Sequence, residues 1–202
     1  MITAVISISV FLVVIVIHEV AHGYAAYLLG DSTAKDAGRL SLNPLVHIDI
    51  IGTVVLPVIL FLTKSPVIFG WANPVPINPY NFRRPRLGLF LSSLAGPASN
   101  FILAVIFAAL LKLKIFAPET LFWLFLLYGA YVSLVLGIFN LVPIPPLDGA
   151  NILISILPAR FAAWYMSIER YGLILLIVLL YCGLFNKVIL PLTQILIKLI
   201  LV

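Results

Sequence analysis

Charge is what this 202-residue chain has least of. Lys, Arg, Asp and Glu make up 9% of it and hydrophobic residues 63%, whereas a soluble domain is about 25% charged. That excludes a water-soluble globular domain and makes the bilayer the solvent. Cysteine is scarcer still: Cys182 stands alone in an apolar run, which excludes a disulfide framework and a CxxC metal site. Twelve basic residues outnumber seven acidic ones, but they are scattered apart from Arg83-Arg84-Pro85-Arg86. Scattered charge does not indicate nucleic acid, and one such knot in a membrane protein marks a cytoplasmic loop. Residues 1–29 contain no Lys or Arg, so the start lacks the basic region of a signal peptide and reads as a retained span. Internal repeats, low-complexity tracts and heptads are missing too.

What the chain does have is apolar runs of bilayer length. Residues 3–29, 88–111 and 120–142 each read as a full transmembrane helix. Residues 30–49 are polar, and residues 64–87 are rich in Pro and Asn. Between them, residues 51–62 are apolar but short for a span and are interrupted by Pro57. Residues 171–185 and 188–202 form two further apolar runs split by Asn186-Lys187, either two thin spans or one re-entrant hairpin. Lys112, Lys114 and Lys198 lie near span ends, where they snorkel to the interface. The expectation is an all-α polytopic membrane protein forming one membrane-embedded domain over 1–202, with a core at about 1–157 and a C-terminal helical pair at about 158–202.

Within the first run, His18, Glu19 and His22 form H-E-x-x-H. Residues four apart share a helix face, so both imidazoles can bind one zinc ion, while Glu19 can reach a water beside it as general base. Chance matches to so short a motif are common in soluble chains. Inside the bilayer, ionisable groups mark a functional site by default.

A catalytic zinc site takes three protein ligands and keeps an open fourth position. Among the carboxylates, Asp31, Asp36 and Asp49 lie in or at the end of a polar loop, Glu119 suits the start of a helix, and Glu169 neighbours Arg170. Asp148 differs, because it follows the proline-broken Asn140-Leu-Val-Pro-Ile-Pro-Pro-Leu sequence and sits between apolar segments. Unwound backbone at membrane depth belongs beside protein or a water-filled cavity. Asp148 is the favoured third ligand, with simple capping of the helix from Gly149 as the other reading.

Taken together, HEVAH in the first span, AGPASN in the next full span and NLVPIPPLDG after the third resemble the site-2 protease family of intramembrane zinc metalloproteases. GRLSLNPLVHIDIIGT and FGWANPVPINP resemble its compact branch, which lacks a PDZ domain. The resemblance covers about residues 10–155. It implies a three-helix catalytic core, one zinc per chain on His18, His22 and Asp148, and Glu19 as general base. It also raises Asn140 and His47 as candidate substrate or oxyanion groups, against structural roles for a helix-end amide and a loop histidine. Ser99 and Asn100 follow Gly96-Pro97, where small residues allow close helix packing; packing is the preferred reading, with an added role for Asn100 as the alternative.

The implied activity is hydrolysis of peptide bonds in or near transmembrane helices of other membrane proteins. Residues 38–50 and 65–80 are candidates to pair with an unwound substrate as an added strand. The rival readings are a divalent-metal transporter and a scaffold with a structural zinc. A transporter often shows related halves, which this chain does not. Lys35, Arg39, Lys64, Arg83, Arg84 and Arg86 place both polar loops in the cytoplasm of a cell-membrane protein, with Met1 outside, residues 51–62 at half depth, and Arg160 and Arg170 in the loop after the third span. His18, His22 and Asp148 then meet in the cytoplasmic half of the bilayer. An Arg84→Cys variant is expected to resist an impermeant thiol reagent added to intact cells and to react once the membrane is opened. Strong labelling from outside would reverse the topology.

Overall fold

The computed structural model describes residues 2–55, 58–59, 62–63 and 72–201. Among these residues all regular structure is helical. Helix α1 spans Ile2–Leu28. A single helical turn, Thr33–Asp36, and short 3-10 turns at Pro44–His47 and Pro79–Asn81 shape the polar loops. Helix α2 spans Pro85–Lys112, α3 Leu121–Asn140 and α4 Asp148–Ile156. Helices α5 (Ala159–Ile168), α6 (Gly172–Tyr181) and α7 (Leu190–Leu201) follow.

The three expected full spans are α1, α2 and α3, which pack on one another. Their ends follow local chemistry. Pro85 stands in the first turn of α2, where a missing N–H is harmless. The Thr120 hydroxyl caps α3 by accepting from Trp123 N–H. Ile6, Val10, Val14, Phe107, Leu126 and Ala130 form their shared core, and the Phe107 ring lies so close to Gly129 that an added Cβ would meet it at 2.8 Å. Only 33% of each of these spans is buried within the protein, and side chains such as Val5, Ile8, Ile102, Val105 and Phe122 face outward, which suits a hydrocarbon surrounding.

The C-terminal part differs from expectation. A fourth stretch long and apolar enough to cross the membrane runs from Ala159 to Tyr181, through α5, a 3-10 turn at Glu169–Tyr171 and α6. Arg160 and Arg170, expected in a loop, are therefore helical. No Pro or Gly separates Ala159 from Tyr171, so the charged pair Glu169-Arg170 does not stop the helix. The break comes instead at Gly183, whose φ of +96° is left-handed, before a π-helical turn at Phe185–Ile189 leads into α7. Of the expected half-depth segment 51–62, the structure shows a π-helical turn at Ile50–Val55; Pro57 and residues 64–71 lie outside the described residues.

The polar loops are tied down by a buried carboxylate. Asp31 has 0% exposure. It accepts hydrogen bonds from the Thr33 N–H and hydroxyl at 3.1 and 2.5 Å, the Asn78 N–H at 2.7 Å and the Asn81 amide at 2.9 Å. Burial raises the pKa of this carboxyl, but the four hydrogen bonds outweigh burial and hold it below the usual carboxylate range. A pKa depressed in the folded state stabilises above the unfolded value, and that stabilisation is lost as pH falls through the folded value. Hydrogen-exchange protection of Asn78 N–H is thus expected to be high at neutral pH and to fall away below about pH 4. Asp31→Ala should lack this protection at every pH; an acid-insensitive wild-type amide would contradict the assignment.

Candidate metal centre and active site

His18 and His22 lie one turn apart on α1 and are both buried, at 4% and 6% exposure. Asp148 is the first residue of α4, one past its N-cap Leu147, and so does not stand as the cap of a helix beginning at Gly149. Its Oδ2 lies 3.2 Å from His18 Nε2 and 3.2 Å from His22 Nε2, and the two Nε2 atoms are 3.0 Å apart. Among the described residues, these three form the one group of His, Cys, Asp and Glu side chains placed to hold a metal ion. Asp148 Oδ2 is buried and accepts no hydrogen bond.

The residues fit zinc. Ligand atoms around a tetrahedral zinc with bonds of about 2.0–2.1 Å stand about 3.3 Å apart. The separations of 3.0 and 3.2 Å need only a few tenths of an ångström of spreading. His22 Nδ1 lies 2.7 Å from the Ser92 carbonyl oxygen. A carbonyl only accepts, so the ring proton sits on Nδ1 and the Nε2 lone pair points at the centre. Asn100, with 0% exposure, places its amide nitrogen 3.0 Å from His18 Nδ1.

Two glycines admit this arrangement. A Cβ on Gly96 of α2 would meet His22 Nε2 at 2.2 Å and His18 Cε1 at 2.7 Å, so the bare backbone gives both rings their space. A Cβ on Gly149 would meet the carbonyl oxygens of Leu141 and Val142, each at 2.4 Å. Its absence lets the first turn of α4 lie against the unwound end of α3, which carries Asp148 back to α1.

Glu19 lies beside the three. Its Oε2 accepts a hydrogen bond of 2.9 Å from Val75 N–H, so the irregular segment 72–78 is anchored on the expected general base. The His47 Nε2 bonds the Ser41 carbonyl at 2.8 Å, and the His47 carbonyl accepts from Asn73 N–H at 2.8 Å. His47 thus holds the loops together and does not join the metal group. The Asn140 amide donates to Leu136 O of its own helix at 3.1 Å. Among the described residues, no hydrogen bond links it to His18, His22 or Asp148. Asp36 accepts from the Ser32 hydroxyl and Asp49 from Gly52 N–H, and neither joins the group.

The Ser92 carbonyl is the part sequence reasoning missed, and Asn100 takes the added role that came second there to packing. Ser99 bonds locally to Gly96 O at 2.7 Å, as a packing residue would. For Asn100 the signal was available: a full amide inside an apolar span is expensive without a partner.

Two imidazoles and a carboxylate around one point, with a second carboxylate next in sequence to the first imidazole, are the donor set of a zinc peptidase, here sunk among membrane helices. Similarity to known proteins agrees. The pattern of "Peptidase family M50" matches residues 114–182, a stretch that contains Asp148. A Bacillus subtilis protein named "Putative zinc metalloprotease YwhC" is 41% identical over 181 residues, covering 86% of this chain and 79% of that protein. A Mycolicibacterium smegmatis protein named "Putative zinc metalloprotease Rip2" is 27% identical over 171 residues, covering 85% of this chain and 64% of that protein. No solved structure gives a significant match. The chain belongs to peptidase family M50, the site-2 proteases, and is a zinc metallopeptidase embedded in a membrane by multiple helices.

Gly96→Ala tests the site without touching a ligand. Alanine is the better helix former by about 1 kcal/mol, so thermal stability should not fall through propensity, while zinc affinity should drop by about 10–100-fold as the rings are displaced. Metal titration with unchanged affinity would show that the rings do not need this gap.

Proposed function

We propose that the protein cleaves peptide bonds in or next to transmembrane helices of other membrane proteins, using zinc held by His18, His22 and Asp148, with Glu19 as general base. The observation that carries this reading is the convergence of His18 Nε2 and His22 Nε2 of the first apolar span with Asp148 Oδ2 at the start of α4, at 3.0 and 3.2 Å. Held by His18, His22 and Asp148, zinc would supply Lewis-acid polarisation of the scissile carbonyl and a water whose pKa is lowered to about 7. Glu19 takes the proton of the attacking water and passes it to the leaving amine.

A substrate helix hides its amides in its own hydrogen bonds and has to unwind before attack. The non-helical backbone at 72–78 meets Glu19 through Val75 and offers a partner for the unwound stretch. The partners of this reading are a substrate transmembrane helix and the lipid of a cell membrane. The absence of Lys and Arg from residues 1–29, against the basic loops that follow, supports an active site in the cytoplasmic half of the bilayer.

The test is incubation of purified protein with a labelled single-span substrate. Wild type should cleave it, and a chelator should stop the reaction. Glu19→Gln should retain one zinc per chain and lose at least about 100-fold in rate. Cleavage by Glu19→Gln at the wild-type rate would overturn the assignment of the base.

A further inference from the structure

The two imidazoles are not held alike. His22 presents Nδ1 to a backbone carbonyl at 2.7 Å, which fixes its tautomer. His18 presents Nδ1 to the Asn100 carboxamide at 3.0 Å, a group that can donate or accept. We infer that Asn100 is the positioning residue for His18, its amide oxygen holding the ring proton on Nδ1 whenever the Nε2 lone pair is given to zinc. This rests on the reading of His18, His22 and Asp148 as ligands.

With Nδ2 toward His18, Nδ1 is the acceptor and the ring proton sits on Nε2, where it points at His22 Nε2 and Asp148 Oδ2. That arrangement leaves Nε2 without a lone pair for a metal and Asn100 Oδ1 buried with no partner. Turning the amide over brings Oδ1 to Nδ1–H and frees Nε2 as a ligand. The two arrangements have the same outline and differ only in which amide atom faces the ring. A metal on Nε2 requires the second.

The placement on α2 supports this role. Ser92, Gly96 and Asn100 recur every four residues and so share one helix face. Ser92 O serves His22, Gly96 clears both rings and Asn100 meets His18. On the far side, Gly137 of α3 lies against the Asn100 side chain, where a Cβ would meet Asn100 Cβ at 3.4 Å. The amide is thereby confined while its polar end stays at the ring.

The variants are Asn100→Asp, which can only accept at this position when ionised, and Asn100→Leu, which keeps the volume and removes both functions. Zinc affinity is measured by competition with a chromophoric chelator in detergent, beside thermal unfolding of the metal-free protein. Asn100→Asp should bind zinc at least as tightly as wild type, and Asn100→Leu about 10–100-fold more weakly. The second readout is the nitrogen-15 spectrum of the imidazoles in zinc-loaded wild type, which has three histidines to assign. His18 should carry its proton on Nδ1 and its metal on Nε2. Equal zinc affinity in Asn100→Leu and wild type, or an unprotonated His18 Nδ1 in the loaded wild type, would overturn the inference. Unchanged affinity in Asp148→Ala would instead overturn the ligand reading beneath it.

Discussion

Three electron-pair donors aimed at one point are the constraint on which this molecule turns. His18 Nε2, His22 Nε2 and Asp148 Oδ2 stand close enough that, without a cation or a proton between them, their lone pairs repel. They do so among apolar helices, where even one charged group costs from about 2.5 kcal/mol upward. Zinc held by the three would turn that repulsion into an attraction that ties α1 to the first turn of α4.

Much of the surrounding structure keeps those donors in place. One face of α2 supplies a carbonyl, a gap and an amide to the two rings. It does so near Pro97, whose ring lacks an N–H and crowds the carbonyl four residues back, disturbing the ladder beside Ser92 and Ser93. The proline-rich loop that delivers Asp148 is supported from the C-terminal side. The Tyr165 hydroxyl donates to Pro143 O at 2.6 Å, and Gly172 admits the Pro145 carbonyl where a Cβ would stand 2.4 Å away. Leu147, Leu176 and Leu180 pack beneath it. Helices α5 and α6, which carry none of the zinc-binding motifs, thus position a ligand.

The sequence was readable where one element carries both the pattern and its meaning. His18 and His22 need only the four-residue period of a helix, and the three long spans need only their apolar length. Asp148 was harder, since a carboxylate after prolines fits a cap as well as a ligand. Its placement at the metal group comes from how α3 ends and where Gly149 lets α4 begin. The bond from Val75 N–H to Glu19 was out of reach, because a backbone donor leaves no mark on side-chain identity. Asn100 was read as packing because small neighbours surround it, although its amide has the more demanding requirement. The stretch Ala159–Tyr181 begins twelve residues before the apolar run at 171, because its first half carries Arg160, Glu169 and Arg170 and so lacks an apolar signal, although no helix breaker interrupts 159–171.

X-ray absorption at the zinc edge of the purified protein bears most directly on the central claim. The account predicts one zinc per chain bound by two imidazole nitrogens at about 2.0–2.1 Å and by oxygen at about 2.0–2.2 Å. The imidazole signature should halve in His22→Ala. A sulfur shell at about 2.3 Å, which would implicate Cys182, or an imidazole signature unchanged in His22→Ala, would contradict it.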